Sequence, residues 1–224
     1  MVRDLMVKLL FLLIPMLIKS QHLKNQLGTC YMFNTTHEIS ESFSLKNSAH
    51  IRFFELAQVY QQEIYRVGLF YNVNEHLNIT GGMVYSVKED NYKKPSNKTY
   101  EYRYYEDFNW KTSFNNLRIN SRIRLEHSIN NNEISEKFNH RIRFGATLQY
   151  PILKNTTLYL FDEVFFDVSD RVLSENRTGF GLTNNISEVL KFQLGYMHTH
   201  QINTFSKRLQ DGLLINTDLR KKTS

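Results

Sequence analysis

Arginine and glutamate recur together in one stretch of this chain, RINSRIRLEHSI, Arg118 to Ile129. Read as a strand, it sends Arg118, Arg122, Arg124 and Glu126 to one face and Ile119, Ile123 and Leu125 to the other. Charges of the same kind stand at alternating positions in other segments: Arg52, Glu101, Arg103, Arg141, Arg143 and Glu163. Side chains of these types can do two kinds of chemistry. They can pair across neighbouring strands as a structural network, or an excess of arginine can line a passage that favours small anions. Cross-strand pairing is the simpler expectation for this set.

Other reactive side chains offer less. Ser48 and His50 share one strand parity, and His198 and His200 share another. Barrel enzymes that cleave lipids use serine and histidine with a carboxylate, and all three must lie within hydrogen-bond reach. Two residues of one parity are about 7 Å apart along a strand, and no serine stands in a recognisable nucleophile setting. The chain is therefore expected not to be an enzyme and to have a structural, binding or accessory role, with a narrow anion-leaning small-solute channel as the alternative and a lipid-modifying outer-membrane enzyme as the second. Two histidines without a nearby carboxylate or cysteine make a weak metal site, so neither metal nor cofactor is expected. The single cysteine, Cys30, cannot form an internal disulfide and reads as a small packed residue in a first strand.

The elements that position the charges follow from alternation. FSLKNSAHIRF, YRVGLFYNV, LNITGGMVYSV, YEYRYYEDFNW, FNHRIRFGATLQY and LKFQLGYMHT each place apolar or aromatic residues on one parity and polar ones on the other. TLYLFDEVFFDV is less regular, because adjacent Asp162 and Glu163 would need a bulge to share a face. Short turns are expected near 74–76, 113–116, 151–155 and 184–187, and longer loops near 88–98, 130–137, 169–175 and 201–208. Short links alternating with long ones are the habit of transmembrane barrels. Each run offers about 10 patterned residues, the span of a tilted membrane strand. Tyr71, Tyr85, Tyr102, Tyr104, Trp110, Tyr150 and Tyr196 are expected near strand ends, as interfacial girdles.

In a bilayer the choice of inner face is forced. An arginine at the midplane costs about 2 to 4 kcal/mol, so the apolar parity must face lipid and the charges the lumen. The expected fold is all-β: a closed antiparallel up-and-down transmembrane β-barrel of 10–12 strands. About eleven strands can be counted. Even numbers are the rule for bacterial single-chain barrels, so ten or twelve is expected, with Leu27–Glu38 either outside the wall or missing a companion.

The first twenty residues differ in kind. Arg3 and Lys8 precede an apolar run, Leu9 to Ile18, that is too short for a membrane helix, which needs about 20 residues, and that matches a signal-peptide core. The expected organisation is a signal peptide over 1–20, cut near Ser20, and one barrel domain over 21–224. Removing Arg3, Asp4, Lys8 and Lys19 lowers the formal charge from +6 to +6 − (3 − 1) = +4, too mild for a nucleic-acid binder. The expected partners are outer-membrane lipid and a possible small solute in the lumen, with the chain a monomer.

EYRYYEDFNW, LRINSRIRLEHSI, HRIRFGATLQYPI, LYLFDEVFFDV, ENRTGFGLTNNI and LKFQLGYMH together resemble domain-of-unknown-function family 2490 of Bacteroidota. The resemblance runs from about residue 28 to residue 219. It implies an outer-membrane β-barrel and supplies no activity. The terminal DLRKKTS departs from the aromatic ending usual in such barrels.

Overall fold

The computed structural model describes residues 27–89, 98–131, 136–202 and 204–220. The signal peptide expected over 1–20, its cleavage near Ser20 and most of the 88–98 loop lie outside these. Alternation builds eleven strands: β1 (Leu27–Glu38), β2 (Phe43–Phe53), β3 (Tyr60–Asn72), β4 (Leu77–Glu89), β5 (Lys98–Phe114), β6 (Leu117–Asn131), β7 (Glu136–Leu153), β8 (Thr156–Asp167), β9 (Val172–Asn185), β10 (Leu190–Gln201) and β11 (Thr204–Asp218). Each pairs with its neighbour in sequence, and β1 meets β11 to close a barrel.

That closing ladder is parallel, from Leu27 opposite Lys207 to Glu38 opposite Asp218. The expectation of ten or twelve strands, all antiparallel, is therefore corrected. Leu27–Glu38 is part of the wall, and an odd number of up-and-down strands closes only through one parallel pair. Closure requires that every edge N–H and C=O find a partner. A parallel ladder meets that requirement with slanted bonds, slightly weaker per residue.

The apolar parity lies outside. Ile123, Phe144 and Phe180 are 45%, 50% and 53% exposed, whereas Arg124, Glu126 and Arg143 keep 5%, 1% and 5%. The interior is a polar lumen rather than an oily core: among the described residues the buried hydrophobic cluster is Ile64, Val84 and Tyr105. Outer aromatics pair across strands, Phe43 with Tyr71 at 4.8 Å and Tyr85 with Tyr102 at 5.2 Å between ring centroids. Tyr104 and Tyr196 stand well inside their strands rather than at the ends expected for them.

Links 39–42, 73–76, 115–116, 154–155 and 186–189 gather at one end, and 54–59 and 168–171 at the other, together with the strand ends at Glu89, Lys98, Asn131, Glu136, Gln201 and Thr204. The loops expected over 130–137, 169–175 and 201–208 are shorter than that, because strands run on into them. Turn residues stabilise the first group: Asn74 Oδ1 accepts from the backbone N–H of His76 and Leu77 at 2.9 and 2.7 Å. Asn115 adopts φ 52°, a left-handed conformation that asparagine tolerates. No bulge forms at Asp162–Glu163. Register runs through unbroken, so Glu163 faces the lumen opposite Gly145 and Asp162 faces out opposite Ala146.

Candidate functional site

Register explains why the charges meet. Asp107, Arg124 and Arg143 lie in one cross-strand row over β5, β6 and β7, and Tyr105, Glu126 and Arg141 form the next. Inward parity on each strand then aims all of these side chains into one volume.

Glu126 is the hub. Its Oε1 accepts from Arg103 Nη1 and Arg143 Nη1, both at 2.8 Å, and its Oε2 accepts from Arg141 Nη2 at 2.6 Å. Arg124 Nη1 approaches at 3.9 Å. Glu163 binds Arg122, and its Oε2 binds Arg143 Nη2 at 2.5 Å. Asp107 holds Arg124 through two bonds, at 2.5 and 2.6 Å, and Glu101 holds Arg103 in the same two-pronged way, at 3.1 and 2.6 Å. Arg177 pairs with Glu175. The planar guanidinium fork suits these bidentate contacts, and water exclusion strengthens them. The ring of Phe165, fully buried, lies under Arg143, Arg177 and Arg141 at 4.3, 4.5 and 5.0 Å from its centroid.

Tyrosine rings lie flat against the wall where strands carry glycine. A Cβ on Gly82 would meet Tyr105 Oη at 2.6 Å, and one on Gly181 would meet Tyr159 Oη at 2.5 Å. These close approaches are what glycine permits.

The β2–β3 side of the lumen is different. Arg52 Nη1 donates to Gln62 Oε1 at 3.0 Å, and Arg66 Nη1 reaches Ser48 Oγ at 3.4 Å. Arg208, on β11, donates to Ser206 and Gln61, each at 2.8 Å. All these partners are neutral, and the buried Nε atoms of Arg52, Arg66 and Arg208 have no hydrogen-bond partner. Between this side and the network lies a chamber of about 290 Å³, lined among others by Arg52, Arg66, Arg122, Arg177, Glu163 and His50. His50 Nε2 pairs with Asn34 Oδ1 at 3.0 Å.

Eight of the ten charges expected to share the lumen join the network: Glu101, Arg103, Arg122, Arg124, Glu126, Arg141, Arg143 and Glu163. Arg52 faces the same lumen across the chamber. Arg118 lies exposed near the 115–116 turn, where its strand leaves the interior. Sequence reasoning omitted Asp107, Glu175, Arg177, Arg66 and Arg208 from the set. Parity was the available signal for the first four, since each lies an even number of residues from a recognised lumen position on its strand or on the next in register, whereas β11, which carries Arg208, and its neighbours β1 and β10 hold none of the ten charges. His198 and His200 face outward beside β9 and β11, and among the described residues no three His, Cys, Asp or Glu side chains converge as a metal site would need.

A closed, mixed β-barrel with an apolar outside and an arginine–carboxylate lumen is the class that this geometry defines. Residues 27–210 match the family described as Protein of unknown function (DUF2490), and the chain belongs to that family. Among solved structures it is similar to the NanC porin in a rhombohedral crystal form, at TM-score 0.50 and 9% identity, over 77% of this chain and 86% of that one. It also matches the siderophore receptor PirA from Pseudomonas aeruginosa at TM-score 0.34 and 12% identity, over 84% of this chain and 42% of PirA. No curated protein matches it. The NanC likeness, at that identity, concerns the fold.

Proposed function

We propose that the protein is a non-enzymatic outer-membrane β-barrel whose lumen is a narrow passage favouring small anions. The observation that carries this is the surplus of arginine around the chamber: Arg52 and Arg66 face it with neutral partners, while its wall carboxylate, Glu163, is already bound by Arg122 and Arg143. An unneutralised guanidinium pair in a confined lumen attracts anions and repels cations.

The setting in a bilayer rests on the wall. Its strands have 11 to 18 residues, against about 9 to 11 needed to cross a bilayer. The outer parity is apolar, and closure leaves no edge for lipid to face. A barrel of similar fold bears the word porin in its description, which agrees with this reading. The chain acts as a monomer with lipid around it, and requires no cofactor.

The test is a planar bilayer holding the purified protein across a KCl gradient. A reversal potential of anion-selective sign is expected, from protein whose migration on gels changes on heating. Cation selectivity, or a correctly folded barrel with no conductance, would refute the passage. Hydrolysis of outer-membrane lipid that disappears in His50→Ala would refute the non-enzymatic reading.

A further inference from the structure

We infer that the chamber is a discrete binding site for a monomer-sized organic oxyanion, a phosphate or carboxylate on a small polar body, held chiefly by Arg52 and Arg66. The inference rests on the proposed passage and adds to it a place where a solute stops and the class of solute that stops there.

Three features point this way. First, the two arginines lie on adjacent strands and share the inward parity, with Arg52 beside Gln62 in the β2–β3 register and Arg66 four residue pairs further along, beside Ser48. Their Nε donors are buried and unpartnered. A guanidinium with donors to spare takes a phosphate or carboxylate through paired N–H···O bonds, a geometry that bare positive potential does not supply. Second, the chamber's acid is occupied. Glu163, the inward-facing carboxylate on its wall, is bound by Arg122 and Arg143, whereas Asp162 points its side chain outward, where it accepts from Asn176 Nδ2 at 2.7 Å. The arginines therefore await a counter-charge from outside the chain.

Third, the remaining wall is made for a body and not for a bare ion. Met32 and Met197 present thioethers that adapt to irregular shapes, and Asn109, Asn120 and Thr147 offer neutral hydrogen bonds. A volume of about 290 Å³ stands at the lower end of ligand sites, about 300 to 1,000 Å³. That admits a single sugar phosphate or a short hydroxy acid and excludes an oligomer.

The experiment uses the exported full-length chain, in detergent for calorimetry and in planar bilayers for current, with glucose 6-phosphate, glucose and inorganic phosphate as probes. Saturable binding of glucose 6-phosphate is expected, with block of chloride current over the same concentrations and none from glucose. Arg66→Gln and Arg52→Gln should each weaken binding about tenfold or more, the loss of one charge-assisted contact. Arg66→Lys, which keeps the charge and loses the fork, should recover only part of it. Unchanged gel migration on heating certifies that each variant folds. Glucose binding as well as its phosphate, or affinity unaltered in both glutamine variants, overturns the inference. Inorganic phosphate binding as tightly as glucose 6-phosphate overturns the claim of an organic body. Anion-selective current with no binding of any probe would sink this inference and leave the passage standing. Binding without current would do the reverse.

Discussion

The two sides of the lumen use the same residue in opposite ways. On β5 to β7, Arg103, Arg124, Arg141 and Arg143 are all tied to carboxylates, with Glu126 at the centre and 1% exposed. On β2 and β3, Arg52 and Arg66 have only neutral hydrogen-bond partners. A carboxylate-paired network fixes the wall, because each of these guanidiniums meets a counter-charge, although Arg143 too leaves its Nε without a partner, and desolvation is offset by charge-assisted bonds. An unsaturated pair leaves attraction to spare for a solute. The contrast teaches that counting arginines says little about a lumen until each one's counter-charge is known.

The largest effect should come from removing the hub. Glu126→Gln leaves Arg103, Arg141 and Arg143 short of their shared acceptor in a water-poor setting, and breaking a buried pair in this way costs about 3 to 5 kcal/mol. Urea titration followed by Trp110 fluorescence should show the loss. If the variant were as stable as the parent, the β5–β7 side would be no more structural than the β2–β3 side, and the comparison would fail.

Glu163→Gln sharpens the comparison, because this carboxylate stands on the border of both regions. Its stability cost should be smaller, about 1.5 to 3 kcal/mol, the worth of hydrogen bonds to a charged group. Arg143 keeps Glu126, and Arg122, with 29% of its side chain exposed, keeps Asp107 at 4.0 Å and access to water. The selectivity should move further toward anions, read as a larger reversal potential, since two guanidiniums gain free donors beside the chamber. A shift toward cations would contradict the arrangement. Gly82→Ala comes next, at about 1 to 2 kcal/mol for overpacking, because the new methyl meets the carbonyl of Val67 at 2.5 Å and the hydroxyl of Tyr105 at 2.6 Å. Unaltered stability there would mean that both the β3 backbone at Val67 and the Tyr105 ring yield without cost, and that this packing does not brace the wall.

Much of this was legible in the residues. Period-2 alternation fixes which side chains share a face, and the density of arginine fixes which face must be inside. Ile123 and Arg124 fall on the expected sides for that reason. Parity could not say which arginine meets which carboxylate. The contacts of Glu126 with Arg103 and Arg143 are diagonal across register, and register depends on turns such as 115–116 that the alternation does not locate to the residue. Asp107 was passed over for the same reason, although it lies on the recognised face of β5. Strand number failed on a different point. The even-number habit is a rule about how chains are exported and paired, whereas closure needs only satisfied edges, and a parallel β1–β11 ladder satisfies them.

That seam carries the smallest predicted effect, and its ends show why. Parallel ladders bond slightly less well per residue than antiparallel ones, and this one has no hairpin to hold its two strands in register. At the 186–189 end the chain supplies a clasp instead. The backbone N–H of Leu219 donates to the Glu38 carbonyl at 2.8 Å, and Arg220 bonds Asp218 while reaching Glu41 Oε1 at 2.9 Å and Glu38 Oε2 at 3.2 Å. Hydrogen bonding to Asp218, then the charges of Asp218, Glu41 and Glu38, holds this guanidinium above its ordinary range, so Arg220 keeps its positive charge. Surface pairs of this kind add little to global stability and weaken with salt. Arg220→Ala should therefore leave the urea midpoint within error and act locally, speeding amide hydrogen exchange at Leu219 and along the last residues of β1 and β11, with the same acceleration produced in the parent by high salt. Exchange that rises equally in β5–β7 would mean that the seam is not a separate weak line in the wall, and the distinction between a clasped parallel ladder and hairpin-linked ones would lose its physical content.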